Sequence, residues 1–170
     1  MSERFNLLCV GGAWLTSNLK EALNMLLKSL GGGDPVDVMQ ITYGSDGEVH
    51  TTIRDVNIPH ETSESLVTFI YFTLLMGGDV GRQSISIRNV GGKTAVSVSL
   101  SKKALYDADI SETDIALVVL NWAMKLFSSG VLLGGYELDA IDLDKSIEDI
   151  EEMNRLSDLC MFSLIFRCRS

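Results

Sequence analysis

The chain has 170 residues, of which 46% are hydrophobic and 22% charged, enough for one domain over 1–170 with its own core. Its formal charge of −9 argues against direct binding of nucleic acid, where affinity rests on Lys and Arg at phosphates. The same charge argues against an anionic membrane surface, and the longest interior apolar run, Leu66–Met76, is too short to span a bilayer.

Arg4–Val10 reads as a strand that is apolar on both sides, hence central in a sheet. Gly11–Gly12 breaks it, and Ser17 or Asn18 caps a helix, with Glu21 completing a capping box after Asn18. Leu19, Leu23, Leu26, Leu27 and Leu30 then recur at helical spacing up to the stop at Gly31–Gly33. A glycine pair between strand and helix can hold an anion on backbone amides. Neither G-x-G-x-x-G nor G-K-[ST] is present, so a tight turn is the better reading. Val36–Tyr43 and Glu48–Asp55 form two further strands around a turn at Gly44–Gly47. The apolar run capped by Thr62 or Ser63 and ending near Met76 predicts a deeply buried helix.

Ser84–Val90 and Lys93–Leu100 flank Gly91–Gly92, a dipeptide suited to a two-residue hairpin turn. Counting outward pairs Val90 with Lys93, Ile87 with Val96 and Ile85 with Val98. Ser86 then meets Ser97 and Ser84 meets Ser99, so one face is aliphatic and the other serine-rich. After a polar link, Ser111 caps a helix with Glu112 and Asp114 in its first turn, and nearly continuous apolar sequence runs to Phe127. Leu132–Leu138 is ambiguous between an edge strand and a loop.

The segment Tyr136–Asp158 carries nine carboxylates against Lys145 and Arg155, a local −7 out of the chain's −9. Its second half is helical from about Lys145. Leu143, Ile147, Ile150 and Met153 fall on one side of that helix and Glu148, Glu151 and Glu152 on the other. Cys160–Cys168 closes the sequence as a strand with Cys160, Phe162, Leu164, Phe166 and Cys168 on one face. Arg167 and Arg169 lie on its other face, near acidic neighbours. The hairpins indicate α+β: a mixed, mostly antiparallel sheet of five to six strands with about four helices, layered on at least one face.

The inventory for catalysis is thin. His50 and His60 belong to no metal-binding pattern, although His60 with Glu61 offers a general base. Asp142-x-Asp144-x-Ser146 begins like a calcium loop, but Ile147 replaces its glycine and Met153 its closing glutamate. Cys9, Cys160 and Cys168 sit in apolar runs without a CxxC pair, as reduced thiols of a cytoplasmic protein do. Glu3 and Arg4 cancel ahead of a short apolar stretch, which predicts no export signal. No catalytic, cofactor or metal residue is therefore assigned.

By charge and size, though by no motif, the chain is analogous to bacterial toxin-neutralising proteins. The expectation is an inhibitor that covers a basic partner, such as a nuclease toxin, with carboxylates. Asp142, Asp144, Glu148, Glu151 and Glu152 are its contacts, with Tyr136 as an aromatic anchor. The alternatives are a small metal-dependent or acid–base enzyme using Asp139–Asp144 or His60, and a secretion-type chaperone. The chaperone reading predicts a homodimer with an exposed apolar groove.

Overall fold

The computed structural model describes residues 3–12, 19–31, 37–43, 49–55, 66–72, 83–90, 92–136, 138, 145–156 and 160–167. β1 (Arg4–Gly11) is buried from Phe5 onward, and the reason is its place in the middle of the sheet. It pairs antiparallel with β6 (Lys93–Ser101) on one side and β7 (Ser129–Gly135) on the other. Phe5, Leu7 and Cys9 enter one core and Leu8 and Val10 a second, on the opposite face.

β2 (Asp37–Tyr43), β3 (Val49–Asp55), β4 (Leu66–Phe72), β5 (Gln83–Val90) and β8 (Cys160–Arg167) complete an eight-stranded sheet in the order β3-β2-β4-β5-β6-β1-β7-β8. Every pairing is antiparallel. Among the described residues, four helices pack on it: α1 (Leu19–Ser29), α2 (Lys102–Asp107), α3 (Glu112–Leu126) and α4 (Ile147–Arg155). The expected α+β class is present, with eight strands among the described residues where five to six were expected.

One added strand replaces the helix expected over the Leu66–Met76 run. Leu66–Phe72 lies between β2 and β5, with Thr68 opposite Ile87 and Ile70 opposite Ile85. A run that is apolar all round suits a central strand as well as a buried helix, and Val67, Thr68, Phe69, Ile70, Tyr71 and Phe72 are β-branched or aromatic. The β5–β6 hairpin has the register expected from its turn: Val90 opposite Lys93, Ile87 opposite Val96, Ser86 opposite Ser97. Gly92 supplies a positive φ of 78° there. The link after β6 contains a short helix not anticipated, α2, capped by the Ser101 hydroxyl accepting from the Ala104 N–H.

α1, α2 and α3 cover the Phe5 face. Ala22, Leu23, Leu26, Leu27 and Leu30 of the first helical segment meet Ile115, Val119, Trp122, Ala123 and Leu126 of α3 in one core. The buried Trp122 Nε1–H donates to the Ala22 carbonyl at 2.8 Å, tying α3 to α1. Ser111 caps α3 as expected, accepting from the Asp114 N–H. The caps expected for α1 at Ser17 or Asn18 lie outside the described residues. No described helix is long and apolar enough to cross a membrane.

The ambiguous stretch near Leu132 is an internal strand, β7, despite its glycines. Gly130 faces Phe166 and Gly134 faces Phe162 across the β7–β8 pair, and each ring covers the backbone of its glycine. An added Cβ at Gly130 would also sit 2.5 Å from the Val10 carbonyl oxygen, which is fixed in the ladder. At Gly134 the nearest obstacle is the Phe162 ring, which is only partly buried. Gly130→Ala is therefore expected to destabilise by about 1–3 kcal/mol and Gly134→Ala by less, read from urea midpoints. Equal costs would mean that the ring, and not the backbone, sets the penalty.

β8 differs from its expected alternation at one end. The register shifts at Gly134/Gly135, so that Phe162 faces Gly134 and Cys160 faces Gly135, with Met161 as the extra residue. Phe162 packs on the Phe5 core, whereas Cys160 joins the opposite one. Cys168 and Arg169 lie outside the described residues.

Candidate functional site

α4 lies on the face opposite α1–α3, where Ile150 packs with Leu8, Val10, Ala95, Val131, Leu133 and Leu138. Ser146 caps it, its hydroxyl accepting from the Asp149 N–H at 3.1 Å. Glu148 and Asp149 in the first turn and Arg155 in the last complement the helix dipole. Four carboxylates against one arginine give the helix a charge of −3.

The helix is rotated from the orientation its leucine-like positions imply. Met153, expected inward, is 59% exposed, and Glu151, expected outward, is partly buried with its side chain 19% exposed. The inward stripe is Ile147, Ile150, Glu151 and Asn154, at spacings of three, one and three. Polar partners explain why a glutamate takes that place. Ser163 Oγ donates to Glu151 Oε1 at 2.9 Å, and Arg155 Nε approaches the same oxygen at 3.8 Å. Asn154 Nδ2 donates to the Ile150 carbonyl.

Glu148 reaches Arg167 of β8 at 3.2 Å, an exposed pair. Since Glu148 and Glu151 both touch β8, the flank of α4 made by Glu148, Glu151, Glu152 and Arg155 runs along that strand. Glu148, Asp149 and Glu152 are exposed to solvent. Beside them Leu156 is 77% exposed, an apolar neighbour of the carboxylates that periodicity alone did not single out.

Tyr136 is elsewhere. Its ring meets Phe5 edge-on at 6.5 Å, on the face opposite α4, and its hydroxyl donates to Glu112 Oε1 at 3.3 Å. Lys102 Nζ sits 4.9 Å from the ring centroid and 3.1 Å from Glu3 Oε2. Contact with Tyr136, and then with Glu3, holds that ammonium above its ordinary pKa range. The structure thus brings Glu148, Glu151 and Glu152 together and leaves Tyr136 apart from them. Asp142 and Asp144, with the calcium-loop-like start at Asp142, lie outside the described residues, as does His60.

Among the described residues, no three His, Cys, Asp or Glu side chains converge as a metal site would require. Burial pushes the Cys9 thiol far up, and burial likewise raises Cys160, whose Sγ donates to the Phe162 carbonyl. Neither provides the thiolate a nucleophile needs. The Cys9 shift also predicts an alkaline weakness. Below pH 9.0, its ordinary value, both folded and unfolded thiols are protonated and nothing is lost. Above it the unfolded chain releases a proton that the folded chain keeps, so stability falls by up to about 1.4 kcal/mol per pH unit. Cys9→Ala is expected to remove that component when urea midpoints at pH 8 and pH 10 are compared.

No family model matches the chain, and no curated protein matches it. It is similar to a chain in the crystal structure of the toxic C-terminal tip of CdiA from Pseudomonas aeruginosa in complex with immune protein. The TM-score is 0.43 and the identity 13%, over 96% of this chain and 95% of that one.

Proposed function

We propose that this protein is a non-catalytic, immunity-type inhibitor that binds a basic protein partner, such as a nuclease toxin, through the acidic surface centred on α4. The observation that carries the reading is a −3 helix pinned to a rigid sheet by Ile150 and Glu151, with Glu148, Asp149 and Glu152 left in solvent. An enzyme that acts on nucleic acid presents Lys and Arg at its active site. Carboxylates held on a fixed scaffold occupy such a surface without first having to be ordered, and their field speeds the encounter. Asp142 and Asp144, which precede α4 in the chain, are further contacts in this proposal. Glu148 and Glu152 make the direct contacts and Glu151 braces the helix. Tyr136, on the other face, is a second and separate contact point.

Affinity capture on the immobilised chain, from the organism that encodes it, tests the reading. The expected result is one folded partner of basic charge, held one-to-one and released as salt rises. A partner that stays bound at high salt and buries mainly apolar surface would instead favour a chaperone.

A further inference from the structure

We propose that the outer edge of β8 receives an extended, basic strand of that partner, adding a ninth strand to the sheet; this rests on the acidic-partner reading above. β8 ends the strand order, and among the described residues nothing pairs with its outer side. It is eight residues long, CMFSLIFR, with neither Lys nor Pro to discourage pairing. Arg167 is already drawn to Glu148, and Met161 and Leu164 are 50% and 44% exposed. A strand edge offers a row of backbone donors and acceptors, so its natural occupant is another strand.

The two faces beside that edge specify the occupant's side chains. Ser163, Ile165 and Arg167 lie on the α4 side of β8, beneath the flank bearing Glu148 and Glu152. Leu164 lies on the other side, opposite Leu132. Arg167 shows that a cation on the α4 side of this strand reaches a helix carboxylate at 3.2 Å. One strand further out, by about 4.8 Å, a Lys or Arg side chain still spans the gap to Glu148 or Glu152. Alternate residues of the incoming strand are thus basic, and those between them are apolar and cover Leu164. A second copy of this chain fits less well. Antiparallel β8–β8 pairing keeps both α4 helices on one face, setting two charges of −3 side by side.

The test uses an acetylated, amidated peptide of alternating Lys and Val matched to the eight residues of β8. Its control keeps the same lysines and length, with one central valine replaced by proline. Titration at low salt, followed by amide NMR shifts, is expected to show the alternating peptide binding at least about tenfold more tightly. The largest shifts should fall on β8, and E148K/E152K should weaken binding about tenfold. Equal binding of both peptides, or of neither, overturns strand addition. Equal binding that weakens with salt would still leave the acidic-surface reading standing. Sedimentation showing a dimer that Leu164→Lys dissolves would assign the edge to a second copy and also overturn the proposal.

Discussion

Phe127→Ala is expected to destabilise the fold by about 3–5 kcal/mol, the largest loss predicted for any single substitution considered for this chain. Phe127 is fully buried at the point where α3 ends and the chain turns into β7. Its ring stands edge-on to Trp122 at 6.2 Å and lies directly over Gly11, so it joins helix, central strand and the following strand. Removing it leaves a cavity whose walls are held in place. Trp122 is anchored to Ala22 by its indole hydrogen bond, and Gly11 is paired on both sides within β1. Neither wall can collapse inward freely, which puts the cost in the upper range for large-to-small changes. Against a total stability of about 5–15 kcal/mol, such a loss leaves little or nothing. Urea denaturation followed by Trp fluorescence measures it, with Phe127→Leu as the milder companion. A cost below about 1 kcal/mol would mean that the ring is not the hinge of this packing.

E148K/E152K is expected to reduce partner affinity at least a hundredfold while leaving the fold unchanged. Both residues are exposed, and the described partner of Glu148 is Arg167, itself exposed, so neither change disturbs the core. Each reversal converts an attraction into a repulsion at a basic surface. Two of them at about 1.5 kcal/mol or more each amount to about a hundredfold. The circular dichroism spectrum should stay that of the wild type, with the melting temperature lowered only slightly by the lost helix-dipole and Arg167 contacts of Glu148. Glu151→Lys should behave differently. That side chain is partly buried and accepts from Ser163, so a lysine there meets Arg155 and leaves the hydroxyl unpaired. Its measurable signature is lost stability of about 1–2 kcal/mol in addition to any effect on binding. The three glutamates looked equivalent in the sequence, and their surroundings separate them.

How much of this was legible in the chain varied with how local the determining contacts are. The β5–β6 hairpin was readable to the residue because a two-residue turn and strict alternation fix one register. The Ser111 cap of α3 follows from side-chain-to-backbone bonds within one turn. Leu66–Phe72 was misread because periodicity cannot separate an apolar strand inside a sheet from a buried helix, and its strand state depends on neighbours β2 and β5. β7 was obscure for a similar reason. Its glycines weaken any strand signal until Phe162 and Phe166, some thirty residues later, are placed over them.

The site shows the same division. Local charge marked the acidic helix, and Ser146 fixes its start. Which glutamate turns inward was hidden, since it depends on Ser163 in the neighbouring strand. Tyr136 is close to the acidic helix in sequence yet on the opposite face of the sheet in space. Asp142 and Asp144, lying between them in sequence, are outside the described residues.

The most direct test of the central claim is the affinity of wild-type chain and E148K/E152K for the captured partner, measured by calorimetry across a range of salt. The expected result is a one-to-one complex that weakens steadily as salt rises, and at least a hundredfold loss in the variant at low salt. Affinity that is unchanged by the double reversal would contradict it.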